Sequence, residues 1–111
     1  MYICSAINAF VMDTRQKYID TIKQYADVLE KRFGISYMCL FGSVARGDQH
    51  EGSDVDLFVE MPAVYYNYAE AADFLEDLLG CKVDLVRNRE GLRPFFRKQI
   101  ERDGITIFRA A

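Results

Sequence analysis

The sequence has few of the residues that bind soft metals. It contains one histidine, His50, and three cysteines, Cys4, Cys39 and Cys81. The cysteines are odd in number and widely spaced, whereas a zinc site needs closely spaced cysteines or histidine partners. We therefore expect no cysteine-based zinc site and assign His50 no role. The three thiols are expected to act as small buried hydrophobic groups in a reducing compartment.

The sequence also lacks an excess of positive charge. Fourteen lysines and arginines against seventeen aspartates and glutamates give a net charge of −3. Non-specific binding of nucleic acid depends on neutralising phosphates with cationic side chains. Stable nucleic-acid binding is therefore not an expected function, and any basic surface must be local.

A signal peptide or membrane span is not expected either. Residues 1–12 are apolar, but they lack a cationic start, and Asp13 and Arg15 follow too early for either kind of segment. The expected location is the cytoplasm, with no membrane partner.

No repeat, low-complexity tract or proline- and glycine-rich linker divides the 111 residues, and half of the residues are apolar. The pattern predicts a single domain over 1–111 that buries a core. The two prolines, Pro62 and Pro94, are expected at element boundaries.

Hydrophobic spacing predicts alternating helices and strands. An amphipathic helix is expected between Asp13 as its cap and Gly34 as its stop, and Asn67 is expected to cap a helix that reaches Gly80. Together these features predict an α/β (α+β) fold with a small mixed β-sheet flanked by helices. The remaining predicted elements are strands Ile35 to Phe41, Val55 to Glu60, Cys81 to Arg87 and Ile105 to Phe108, and a helix from Pro94 to Arg102.

A glycine-serine turn follows the first predicted strand. Gly42 lets the backbone approach a ligand closely, Ser43 adds a hydroxyl donor, and Arg46 adds a planar cation that can bind phosphate oxygens. These three residues are candidates for binding a nucleotide's phosphates. Taken alone, the segment is more typical of a tight turn with a surface arginine.

Three aspartates are the candidate catalytic and metal-binding residues. Asp54 and Asp56 are two positions apart, so on a strand they share a face, unless Asp54 belongs to the preceding turn. Asp84 interrupts an otherwise apolar strand, where a carboxylate should either face solvent or share a cation. Oxygen ligands of this kind suit Mg²⁺, and two such ions beside a phosphate-binding turn indicate nucleotidyl transfer.

The motif Gly42-Ser43, ten residues, Asp54-x-Asp56 resembles the signature of the DNA polymerase beta-like nucleotidyltransferase superfamily. The continuation to Ala45-Arg46-Gly47 resembles its minimal nucleotidyltransferase (MNT) branch, and the likeness covers nearly the whole chain. The resemblance implies a polymerase beta-like fold, with two metal ions held by Asp54 and Asp56. It also implies that Asp84 positions or deprotonates the acceptor and that Ser43 contacts the terminal phosphates.

The same resemblance implies a partner. MNT proteins are commonly paired, as antitoxins, with small helical HEPN toxins, and the implied reaction transfers AMP from ATP to a hydroxyl of the toxin, typically tyrosine. Two alternatives stay open. One is a non-catalytic antitoxin that acts by binding, and the other is an enzyme that modifies a small molecule such as an aminoglycoside.

Two further groups of residues have open interpretations. A basic cluster near the carboxyl end could face a triphosphate or an acidic partner, although such a run is usually a solvated surface. Three tyrosines could stack on a base or form an interface, although packing at a loop or helix edge is more common. The basic cluster is Arg87, Arg89, Arg93, Arg97, Lys98 and Arg102, and the tyrosines are Tyr65, Tyr66 and Tyr68.

Overall fold

A computed structural model describes residues 14–49 and 53–110. The predicted helix cap Asp13, the apolar opening 1–12, Cys4 and His50 lie outside the described residues. Within them, no helix is long and apolar enough to cross a membrane.

The first predicted helix is two helices. Residues 14–24 form α1 and Ala26–Phe33 form α2, with a turn at Tyr25, whose N–H donates to the carbonyl of Ile22 only three residues back. Periodicity shows which face of a helix is apolar but does not reveal such an interruption. Gly34 ends α2 in the left-handed conformation, as predicted.

Four strands form one mixed sheet in the order β3-β2-β1-β4, which confirms the predicted architecture. The strand β1 is antiparallel to both β2 and β4, and β2 is parallel to β3. The strand bounds are Tyr37–Phe41 for β1, Val55–Glu60 for β2, Val83–Arg87 for β3 and Ile105–Arg109 for β4. Two predicted strands thus began two residues too early, at Ile35 and Cys81.

Three more helices connect the strands. A short helix, α3, spans Gly42–Arg46 and was not predicted as an element. The helix α4 spans Tyr65–Leu79, so the prediction that Asn67 caps it was wrong: Val64 occupies that position, with its carbonyl accepting from the N–H of Tyr68. The helix α5 spans Pro94–Asp103 and begins at the predicted proline.

The sheet is covered on both faces. Helices α1, α2 and α4 pack on one face over a core that includes Ile22, Leu29, Phe33, Leu57 and Leu75. Helix α5 covers the other face, where a smaller cluster contains Cys39, Phe41, Phe58 and Leu92. Cys39 is buried as predicted, whereas Cys81 is only partly buried.

Candidate active site

The three predicted aspartates meet where β1 ends and where β2 and β3 begin. Asp56 lies opposite Phe41 of β1 and opposite Asp84 of β3 in the sheet register. Residues paired in register share a face of the sheet, and Phe41 belongs to the cluster under α5. The carboxylates of Asp56 and Asp84 therefore lie side by side on the α5 face.

Asp54 lies outside the strand, because β2 starts at Val55. The interpretation that this residue belongs to the preceding turn was correct. Its carboxylate is nevertheless close enough to Asp56 to act on it, as the electrostatics of Asp56 show.

The pKa of the Asp56 carboxyl is raised to about 6. Burial is the main cause, and the negative charges of Asp84 and Asp54 add to it, while the guanidinium of Arg46 opposes it weakly. A half-buried carboxyl between two exposed ones is the feature expected of a functional site. Among the described residues, however, no three His, Cys, Asp or Glu side chains are placed to surround a metal ion by themselves.

The position of the Asp56 carboxyl requires a glycine at residue 42. Its φ of 79° is in the left-handed region, and a Cβ on this residue would collide with Oδ2 of Asp56. Gly42 was predicted to let a phosphate group approach the backbone closely, but in the structure the carboxyl of Asp56 occupies the space that a Cβ would fill. The glycine thus lets the start of α3 lie directly against the central carboxylate.

Ser43, the second residue of α3, is partly exposed beside this contact. Its carbonyl accepts hydrogen bonds from the N–H groups of Gly47 (2.9 Å) and Asp48 (3.0 Å), which close the short helix. The position of Ser43 next to Gly42 is compatible with a hydroxyl that reaches phosphates held at the aspartates. Its role as a phosphate ligand stays a prediction.

Arg46 forms two ion pairs that were not predicted from the sequence. Its Nε lies 3.0 Å from Asp48 Oδ2, and one terminal nitrogen lies 2.9 Å from Asp103 Oδ2. The Asp103 side chain, only 7% exposed, is also bound by Arg102. Arg46 therefore ties α3 to α5, and a role in gripping phosphate would compete with these two ion pairs.

A groove of about 460 Å³ opens beside Asp84, along the outer edge of β3 and between α4 and α5. We call it the edge groove. Tyr68 lines it, with its hydroxyl donating to the carbonyl of Leu85. The lining residues of the groove include Tyr65, Tyr68, Asp84, Arg87, Arg89 and Phe96.

A second hollow, of about 420 Å³, lies beside Asp54. Val44 of α3, Ser53, Asp54 and Lys82 are among its lining residues. The aspartates thus have an open space on each side. Sequence reasoning missed both spaces, because each is built from segments far apart in the chain.

Comparison with known proteins places this geometry in context. The family model described as "Nucleotidyltransferase domain" matches residues 22–107, which include every predicted site residue. A Methanocaldococcus jannaschii protein, provisionally named as a protein adenylyltransferase, is 36% identical over 98 residues, which are 86% of this chain and all of that protein.

Two other similar proteins have more specific descriptions. The protein adenylyltransferase MntA of Thermococcus cleftensis is 37% identical over 82 residues, which are 71% of this chain and 81% of that protein. A chain in the crystal structure of a toxin-antitoxin with AMP-PNP superposes with a TM-score of 0.64 at 25% identity, covering 79% of this chain and 73% of that chain.

Proposed function

The chain belongs to the nucleotidyltransferase domain family and is a nucleotidyltransferase, and we propose that it transfers AMP from ATP to a tyrosine hydroxyl of a partner protein. The main observation in support is the convergence of Asp54 and Asp84 on the half-buried Asp56, with Gly42 packed against that carboxyl. The proposed partner is a small helical HEPN toxin, which the chain would neutralise as its antitoxin.

The donor set fits a hard divalent cation. It consists of carboxylate oxygens, which Mg²⁺ prefers, and the mutual repulsion that raises the pKa of Asp56 would be relieved by a cation. Since no three of the described acidic side chains surround an ion by themselves, waters and substrate phosphates would supply the other ligands. We propose Asp54, Asp56 and Asp84 as the ligands of two Mg²⁺ ions, which would neutralise charge on the phosphates.

Each residue then has a defined task. The Ser43 hydroxyl donates to the terminal phosphates of ATP, and Gly42, which has no Cβ, lets this end of α3 lie against the Asp56 carboxyl. The oxygen of the acceptor hydroxyl bonds to the α-phosphorus, and Asp84 accepts the proton that this hydroxyl loses. The bond from that phosphorus to the pyrophosphate oxygen breaks, and pyrophosphate leaves.

Similar proteins support the proposal of a partner toxin. Proteins at this level of similarity include the adenylyltransferase MntA and a chain of a toxin-antitoxin structure with AMP-PNP. The described helices and strands leave no second lobe to enclose a small acceptor, since both hollows beside the aspartates are open to solvent. An acceptor supplied by another protein would complete the site.

Transfer of label from α-labelled ATP tests the proposal. With Mg²⁺ and a co-expressed HEPN partner, we expect label on a tyrosine of the partner, and we expect Asp54→Asn and Asp84→Asn to lose it while still binding the partner. Asp77→Asn, at an exposed position on α4, is the matched control and should label normally.

Two outcomes would contradict parts of the proposal. Label on RNA ends or on an aminoglycoside, with none on protein, would reject the protein acceptor. Neutralisation of the toxin without any label in the wild type would mean that the chain acts by binding alone.

A further inference from the structure

The edge groove has an apolar, exposed border. Tyr65 at the start of α4 is 83% exposed, and Phe95 at the start of α5 is 63% exposed. The Phe95 ring packs edge-on against Phe96, which lines the groove, with 5.6 Å between centroids. Large apolar side chains exposed around a concave site are typical of a surface that another molecule covers.

The groove suits a side chain better than an added strand. The outer edge of β3 is partly blocked by α4, because Tyr68 donates to the Leu85 carbonyl and Glu76 accepts from the Val83 N–H at 3.2 Å. An incoming strand would have to displace these contacts. Tyr68 and Phe96 both line the groove and offer aromatic surface against which a flat ring can pack.

The position of the groove favours the acceptor over the nucleotide. In phosphoryl transfer the attacking and leaving oxygens lie roughly in line, on opposite sides of the phosphorus. Ser43 belongs to α3, and Val44 of the same helix lines the hollow beside Asp54, whereas the edge groove opens at Asp84. If phosphates lie at α3, the attacking oxygen arrives from the groove.

The charge of the groove indicates which residues are favoured next to the bound aromatic ring of the ligand. Its lining contains two arginines, Arg87 and Arg89, and a single acidic residue, Asp84. Arg87 donates to the carbonyls of Met61 and Asn88, which fixes its cation at the groove, and Arg89 is exposed. In a chain of net charge −3, this local positive charge favours an acidic ligand.

We propose that the edge groove binds the acceptor segment of the partner protein, with its tyrosine ring packed against Tyr68 and Phe96 and adjacent acidic residues facing Arg87 and Arg89. This inference rests on the proposed transfer to protein tyrosine. It adds the place where the acceptor binds and the sequence that the enzyme prefers around the tyrosine.

Short peptides and the full chain labelled with ¹⁵N provide the test. The probes are Glu-Glu-Tyr-Glu-Glu, its Lys-Lys-Tyr-Lys-Lys counterpart and Glu-Glu-Phe-Glu-Glu, all with blocked ends. We expect amide shifts confined to the groove residues and an affinity for the glutamate peptide about tenfold above that for the lysine peptide. The phenylalanine peptide should bind in the same place.

Variants check that the binding uses these side chains. Arg89→Glu should reverse the charge preference, and Phe95→Ala should weaken both acidic peptides. Lys23→Glu on α1 makes the same charge change on another helix, and Val28→Ala truncates an exposed apolar side chain on α2. Both controls should bind the peptides as the wild type does.

The possible outcomes distinguish the proposal that the groove binds the acceptor from the proposal that the chain transfers AMP to tyrosine. Peptide binding in the groove without transfer of label to tyrosine would contradict the proposed function and leave the groove standing. Label transfer that is unaffected by Arg89→Glu and Phe95→Ala would contradict the proposal that the groove binds the acceptor, while the proposed transfer reaction would stand. Absence of shifts at groove residues, or displacement of the peptide by AMP-PNP, would also overturn it, the latter because the nucleotide itself would then occupy the groove.

Discussion

At the scale of single residues, Asp56 is the centre of the account, and its charge destabilises the metal-free protein. Its folded pKa of about 6 lies above the ordinary value of 3.8, so the folded state holds its proton more tightly than the unfolded state does. The contribution of Asp56 to stability therefore falls as pH rises from about 4 to about 6, and it stays low above that range.

Asp56→Asn should remove this loss. At pH 7 without metal, we expect the variant to be more stable than the wild type by about 1 kcal/mol, after allowance for solvent screening. At pH 4 the two should have nearly equal stability. Urea denaturation at several pH values measures the difference, with Asp73→Asn on α4 as an exposed control. A gap that does not change with pH would mean that Asp56 is not the titrating group.

Gly42 allows a second prediction, because the chain contains a matched glycine. Gly42 and Gly80 both have positive φ, 79° and 70°, but a Cβ at Gly80 would meet nothing within 4 Å. Gly80→Ala should lower the free energy of unfolding only by the conformational cost of a positive φ, about 1 to 2 kcal/mol. Gly42→Ala should lower the free energy of unfolding by more than this and should abolish nucleotidyl transfer, because the methyl group displaces the Asp56 carboxyl. Equal losses in urea denaturation would rule out the collision.

Ser43 allows a prediction about binding. If its hydroxyl donates to a charged phosphate, Ser43→Ala should weaken binding of Mg-ATP by about 1.5 to 3 kcal/mol without changing the fold. Calorimetric titration measures this change, and Ser36→Ala, at an exposed position before β1, is the control. Unchanged affinity in Ser43→Ala would place the phosphates elsewhere.

At the scale of elements, Arg46 joins α3 to α5 through Asp103. The pKa of Asp103 is lowered, mainly by Arg102 and further by Arg46, so this contribution to stability is present at neutral pH and is lost as pH falls below the ordinary range of an aspartate. Arg46→Ala should lower the melting temperature at pH 7, and the effect should shrink at acid pH. In a background of Asp103→Asn the same change should cost less. Additive effects of the two substitutions would show that the ion pair does not couple the helices.

The elements also show how far the sequence could predict this fold. The bounds of β2 and the first residue of α5 were predicted correctly, because a short apolar run and a proline are local signals. The break at Tyr25 and the early start of α4 at Tyr65 were not, because hydrophobic spacing identifies an apolar face rather than an end. In α4, contacts such as that from Tyr68 to Leu85 outweigh the capping preference of Asn67.

At the scale of the whole molecule, the site was predictable to the extent that it is local in sequence. The glycine-serine turn and the pair Asp54 and Asp56 lie within fifteen residues, and Asp84 was identified as a charge in an apolar strand. The register that sets Asp84 opposite Asp56 was not predictable, nor was the ion pair of Arg46 with Asp103, 57 residues away. The edge groove needs β3, α4 and α5 together, so only the folded chain reveals it.

The central claim is that Asp54, Asp56 and Asp84 act as one unit in nucleotidyl transfer. Single-turnover transfer from ATP by the three single Asp→Asn variants and the three double variants tests it most directly. Groups that act as a unit are strongly non-additive, so each single variant should lose nearly all activity and each double variant should lose no more. Independent, multiplicative losses, or a single variant that keeps wild-type rates, would contradict the account.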